Sequence, residues 1–192
     1  MKITQQGVLG LRGFAAAVFM LLLALSALLT SAQKTVTAPG IKNFGKVNDQ
    51  YYRGSQPTQS QVAALKAMGV KTIIDLRRDY VPEERQWASA AGLNYFNLPL
   101  KANQRATKDQ TDYFLKLVND PGNRPVYVHC KGGKHRTGAL TAVYRITRDG
   151  WTAVQAWEEM KKYDFNDSIF GGPVDQKNFV FEFYKEFVQA RH

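Results

Sequence analysis

Pro125-Val126-Tyr127-Val128-His129-Cys130-Lys131-Gly132-Gly133-Lys134-His135-Arg136-Thr137-Gly138 is the stretch on which the reading of this chain turns. Pro125 to Val128 reads as a short buried strand that runs directly into His129-Cys130, and a helix is predicted from Gly138 to Arg148. Between them, Gly132 and Gly133 admit dihedrals closed to other residues. The loop amides can therefore converge on an anion, and the helix start adds the positive end of its dipole. Arg136 supplies a planar fork suited to two phosphate oxygens. The same field favours the thiolate of Cys130, which is the nucleophilic form. Thr137 is a candidate to hydrogen-bond the sulfur and ease its departure. His129 reads as a residue that shapes the loop rather than as a base.

Outward from this stretch, strands and helices alternate. Gln50 to Arg53 is strand-like and Gly54 to Pro57 is a turn. A helix is predicted from Thr58 to Met68, with Thr58 as cap, Gln61 three residues on and Gly69 as the stop. Strands follow at Lys71 to Leu76 and Leu93 to Leu98, separated by a helix over 82–91. Further helices are predicted at Thr107 to Val118, Thr152 to Lys162 and 174–189. This order implies a single α/β domain with a mostly parallel central sheet flanked by helices. Such sheets bind ligands at the carboxyl ends of their strands, where Cys130 lies. Trp87, Trp151, Trp157 and the Phe-rich last helix read as core. Arg77, Arg78, Glu83, Glu84 and Arg85 read as a solvated helix face, with the pocket rim as the alternative.

Counts exclude several classes. The 192 residues contain one cysteine, which rules out an internal disulfide framework, a CxxC redox pair or a cysteine-rich zinc site. Three histidines, His129, His135 and His192, leave little for a multi-histidine metal centre. The net charge of +10 is spread along the chain, and no nucleic-acid motif accompanies it. Residues 1–32 read as a cleavable export signal: Lys2 and Arg12, an uncharged run from Phe14 to Leu29, then Thr30-Ser31-Ala32. An uncleaved anchor is the alternative, but the run is short against the about 20 apolar residues a span requires. The expectation is an exported protein, periplasmic or secreted, in which 33–43 is a leader and 44–192 is the folded domain. Membrane contact would come only through an uncleaved N-terminal segment.

Cys130, five intervening residues and Arg136, preceded by His129 and followed by Thr137-Gly138, resemble the signature of cysteine-dependent protein tyrosine and dual-specificity phosphatases. Gly133-Lys134-His135-Arg136-Thr137-Gly138 is similar to the atypical plant and fungal dual-specificity phosphatases and their bacterial relatives. Tyr52-Arg53-Gly54-Ser55-Gln56-Pro57 and Gly69-Val70-Lys71-Thr72-Ile73-Ile74-Asp75-Leu76-Arg77 resemble the front half of those domains, so the resemblance covers about residues 44–165. It implies a phosphomonoester hydrolase. Cys130 attacks phosphorus, water hydrolyses the phosphocysteine, and no metal or other cofactor is required. Lys131, Gly132, Gly133, Lys134, His135 and Arg136 would bind the phosphate.

The resemblance also implies an Asp general acid after the strand ending near Leu98. That loop carries Gln104 where relatives have Asp. Asp109 is the nearest carboxylate, with a helix-dipole role as the competing reading. Asp112, Asp164 and Asp167 are outside candidates. Lys131 and Lys134 resemble the loop of lipid phosphatases that act on phosphoinositides, and such cations suit a substrate with several phosphates. The expected partner is a phosphorylated protein or an inositol polyphosphate. Two alternatives remain at this stage: a non-catalytic phosphate-binding module, and a rhodanese-type sulfurtransferase, whose loop is usually shorter.

Overall fold

The computed structural model describes residues 39–102, 104–166 and 174–191. The expected signal, residues 1–32, most of the expected leader, and Asp167 lie outside the described residues. The elements are β1 (Gly45–Asn48), β2 (Tyr51–Ser55), α1 (Gln59–Ala67), β3 (Thr72–Arg77), α2 (Pro82–Ala90), β4 (Asn94–Leu100), α3 (Lys108–Asn119), β5 (Val126–Cys130), α4 (His135–Arg148), α5 (Ala153–Lys162) and α6 (Val174–Gln189). Among the described residues, no helix is long and apolar enough to cross a membrane.

Three helix starts use the same device. Thr58, Thr107 and Thr152 each accept a bond from the backbone three residues on, where Gln61, Gln110 and Gln155 return a bond to the cap. These capping boxes satisfy donors that a helix leaves unpaired at its first turn. Helix α4 departs from expectation, since it begins at His135 rather than Gly138. Arg136 and Thr137 therefore stand in its first turn instead of in the loop.

The five strands form one sheet in the order β1-β2-β5-β3-β4. Every pair is parallel except β1 with β2. Sequence reading placed no strand at Gly45–Asn48, which is short and lies at the sheet edge. Strands β3 and β5 are buried along their whole length, as expected for interior strands covered on both faces. Alternation decides which face each residue serves. Ile73 and Tyr127 pack with Val62, Leu65 and Ala88 of α1 and α2. Ile74, Val126 and Val128 pack with Phe114, Leu140, Val143, Met160 and Val180 of α3 to α6. Trp87, Trp151 and Trp157 pack against these clusters while only partly buried. The sheet thus carries Cys130 on a central strand, with the ends of β2 and β3 to either side.

Candidate active site

Cys130 is the last residue of β5 and is buried. Its register partner on β2 is Ser55. The loop that follows is tied to its surroundings through its carbonyls. Lys131 O accepts from the backbone of Gln56 at 3.4 Å, Gly132 O from Asn43 Nδ2 at 2.8 Å, and Gly133 O from Arg53 Nη2 at 2.7 Å. A trans peptide is planar, so each carbonyl points opposite to the next residue's N–H. Three carbonyls anchored outward turn the amides of Gly132, Gly133 and Lys134 to the other side. Those amides take no hydrogen-bond partner among the described residues, as an anion cradle needs.

Gly133 is the hinge of this arrangement. Its φ is +69°, and a Cβ there would stand 2.5 Å from the Gly54 carbonyl carbon and 2.7 Å from Ser55 N. The loop therefore rests directly on the backbone of β2, which only glycine allows.

Arg136 closes the other side. Its Nη1 donates to Leu100 O at 3.1 Å and Leu76 O at 3.5 Å, the carbonyls near the ends of β4 and β3. One nitrogen is thus fixed, and the remaining donors of the fork are left for a ligand. Arg136 lines a cleft of about 560 Å³ together with Arg78, Asp79, Leu100, Lys101, Ala102 and Gln104. A second cleft shares Arg78, Lys101 and Gln104 with the first and adds Arg105 and Gln110.

The other expected site residues fall into distinct places. Lys131 is exposed at the loop, and Lys134 pairs with Asp164 at 3.4 Å. His135 sits on the first turn of α4, its ring edge-on to Phe165. Burial, helped by the charges of Lys134 and Arg136, lowers the pKa of His135 below its ordinary 6.5 and disfavours its cationic form. Thr137 is fully buried, and its hydroxyl makes no hydrogen bond among the described residues, so the expected bond to sulfur is not formed here. Asp109 stands exposed in the first turn of α3 and does not line either cleft. The carboxylate that does share the cleft with Arg136 is Asp79, from the β3–α2 connection, which sequence reasoning did not single out. Asp112 is exposed and paired with Lys108.

His129 heads a buried cluster beneath the loop. Its Nδ1 lies 3.4 Å from the Cys130 carbonyl, and its Nε2 lies 2.7 Å from Glu84 Oε1. That second contact is close but poorly aligned, because neither atom completes a well-directed hydrogen bond. Arg77 donates to both Asp75 oxygens, at 2.9 and 2.6 Å, and to Glu84 Oε2 at 2.7 Å. Tyr95 donates to Asp75 Oδ2 at 2.7 Å. Burial works to raise the Asp75 pKa, but Arg77, His129 and Tyr95 outweigh it and hold this carboxyl below its ordinary 3.8. Glu84 and Arg77 correct the expectation of a solvated helix face. Both are buried: Glu84 meets Arg77 on β3 and His129 on β5, and Arg77 meets Asp75 on its own strand, contacts that a local charge pattern does not reveal. Asp75, Glu84 and His129 bring ligand-type atoms within 4.8 Å of one another. Arg77 already bonds both carboxylates, so these residues make an ion-pair cluster and do not fit a cation.

The chain is similar to known proteins over most of this domain. It is 32% identical over 125 residues to the dual specificity protein phosphatase TpbA of Pseudomonas aeruginosa, covering 65% of this chain and 56% of that one. It is 26% identical over 130 residues to the inositol diphosphatase SIW14 of Saccharomyces cerevisiae, covering 65% and 46%. The chain therefore spans about half the length of these relatives. The crystal structure of P. aeruginosa TpbA aligns with a TM-score of 0.63 at 28% identity, over 78% of this chain and 92% of that one. A further TpbA structure, of a Cys-to-Ser variant in complex with phosphotyrosine, aligns at 0.60 and 27% identity over 78% and 92%. The SIW14 catalytic core with citrate aligns at 0.67 and 22% identity over 79% and 91%, a likeness of fold. Residues 34–180 match the family model described as DSP-PTPase phosphatase fused to NAD+ kinase, and the chain belongs to that family of phosphatase domains.

Proposed function

We propose that this chain is a cysteine-dependent phosphatase acting on inositol polyphosphates, above all those that bear a diphosphate group. The observation that carries the activity is the loop whose carbonyls are bonded away from Cys130 while its amides and the Arg136 fork are left for oxygens. In the first step the Cys130 thiolate attacks phosphorus, and the bond from phosphorus to the leaving oxygen breaks. Loop amides and Arg136 hold the equatorial oxygens, so the protein contributes mainly position and charge. Water then attacks the phosphocysteine. The phosphorus–sulfur bond breaks, releasing inorganic phosphate and the thiolate.

The cleft supports the choice of substrate. Arg78 and Lys101 stand around the two adjoining clefts and Lys131 at the loop, with Arg105, paired to Glu182, and Lys134, paired to Asp164, beside them. Several cations near one phosphate site suit a molecule that carries several phosphates. The relatives named inositol diphosphatase agree with this choice. Phosphotyrosine protein is the second reading, favoured by the similarity to TpbA and its phosphotyrosine complex. We also assign the leaving-group proton to Asp79 rather than Asp109, since Asp79 lines the cleft with Arg136. A water proton returns to the same carboxylate in the second step.

Phosphate release from a diphosphoinositol polyphosphate and from a phosphotyrosine peptide tests the reading. Both should turn over, the inositol compound with the higher kcat/KM. No release from either would sink the phosphatase reading, and a preference for the peptide would reverse the substrate order. Asp79→Asn should slow an aryl or alkyl ester by about 10²-fold or more, with a smaller loss on the diphosphate, whose leaving group needs less help. Asp109→Asn should leave both rates unchanged, and the reverse pattern would return the role to Asp109. Export is part of the same proposal, supported by the composition of residues 1–32. N-terminal sequencing of the mature protein should begin at Gln33, whereas an intact Met1 would favour the anchor.

A further inference from the structure

Arg53 lies on β2 behind the loop, and none of the steps above uses it. It is 0% exposed. Its Nη2 donates to the Gly133 carbonyl, and its guanidinium stands over the Tyr163 ring, 3.9 Å from the centroid. Its Nε and Nη1 have no hydrogen-bond partner among the described residues. The carboxylate that faces it, Glu159, is committed to Arg145 at 2.7 Å. A guanidinium sheds its proton with great difficulty, and a buried charge without a counter-charge is strongly unfavourable. Such a group persists when the fold has a use for its field.

Register shows where that field falls. Arg53 pairs with Val128, and Ser55, two residues on, pairs with Cys130. The groups facing Arg53 are Tyr51 on its own strand, Glu159 and Tyr163 from α5 and its C-terminal end, and Cys130 on β5. Burial acts to lower the Arg53 pKa, and these neighbours only partly offset it. Of the four, only Glu159 is an ordinary carboxylate, and it is already engaged. The sulfur of Cys130 is the remaining group able to carry a negative charge toward Arg53.

We propose that Arg53 is a positioning residue of the phosphate loop: its guanidinium clamps the Gly133 carbonyl, and its charge, paired with no carboxylate, is directed at the anion formed on Cys130 and held above it. Arg136 then grips the phosphoryl group from the cleft, while Arg53 acts from behind the loop without touching substrate. This rests on the phosphatase reading for its use, but not for its test.

Two variants separate clamp from charge. Arg53→Gln keeps an N–H donor for Gly133 and removes the charge, whereas Arg53→Lys keeps the charge and loses the fork. The readout is the pH dependence of Cys130 alkylation by iodoacetamide, followed by mass spectrometry, which needs no turnover. With glutamine, the alkylation midpoint should rise by about one pH unit, and kcat/KM on the diphosphoinositol substrate should fall by about 10²-fold. With lysine, the midpoint should stay near wild type and most of the lost activity should be restored. A glutamine variant with the wild-type midpoint and kcat/KM would overturn the proposal, as would a folded lysine variant that behaves like glutamine. If the glutamine variant does not fold, Arg53→Met removes clamp and charge together, and a wild-type alkylation midpoint and kcat/KM in it would equally overturn the proposal. If neither folds while the lysine variant does, Arg53 serves stability alone and the proposal falls. Absence of turnover in wild type would sink the phosphatase reading and leave the alkylation result standing.

Discussion

Cys130→Ser will abolish phosphate release while leaving the fold and the affinity for inorganic phosphate in place. The sulfur is the only atom at the loop able to act as nucleophile at neutral pH, because a serine hydroxyl in the same position has no adjacent base to activate it. His129, the imidazole next in sequence, is turned away toward the Cys130 carbonyl and Glu84. Loss of a nucleophile that forms a covalent intermediate removes a whole reaction path, so a decrease of about 10⁴-fold or more in kcat is expected. The pocket loses little, since Cys130 is small and the proposed anion site is built from loop amides and Arg136. Binding of phosphate to the serine variant, followed by calorimetry, should stay within a few-fold of wild type. Residual turnover near the wild-type rate would rule out the cysteine mechanism and favour a water attack promoted elsewhere.

Gly133→Ala is the second large effect. The positive φ of +69° alone costs an alanine about 1–2 kcal/mol. The added Cβ also meets the backbone of β2, with the Gly54 carbonyl carbon at 2.5 Å and its oxygen at 2.7 Å. A strand backbone cannot yield as a side-chain tip can, so the loop must lift. Lifting it breaks the bond from Arg53 and turns the amides away from the anion. A shift of about 1 Å at a catalytic loop is worth roughly 10²-fold in rate, and the melting temperature should fall by several degrees at about 2–4 °C per kcal/mol. Gly132→Ala is the control. Its Cβ would meet only the Lys134 side chain, at 3.7 Å or beyond, which is ordinary contact. It should therefore keep most of its activity, and equal damage from both substitutions would refute the tight seat of Gly133.

What could be read in the sequence follows from the range of the forces involved. The helix starts at Thr58, Thr107 and Thr152 were legible because a capping box is complete within four residues. The strand–loop–helix around Cys130 was legible for the same reason, and the order of the strands and helices gave the mostly parallel sheet. Glu84 and Arg77 were misread because Glu84, on α2, meets Arg77 on β3 and His129 on β5, while Arg77 belongs to β3 itself and pairs with Asp75 on the same strand. A charged helix face and a buried ion-pair cluster look alike until those strands are brought together. Asp79 was missed for a related reason. The resemblance directed attention to the connection after β4, whereas Asp79 comes from the connection after β3, and the cleft is lined by both. Arg53 stood inside a recognised motif, yet only the fold reveals that its charge is buried against the loop.

The covalent step is the centre of this account, and rapid acid quenching during turnover tests it most directly. The quenched protein is digested and its peptides are read by mass spectrometry. A phosphoryl group on the Cys130 peptide, present during turnover and absent after substrate is exhausted, is the predicted result. Phosphate release with no phosphoryl on Cys130 at any quench time, or with the group on another residue, would contradict it.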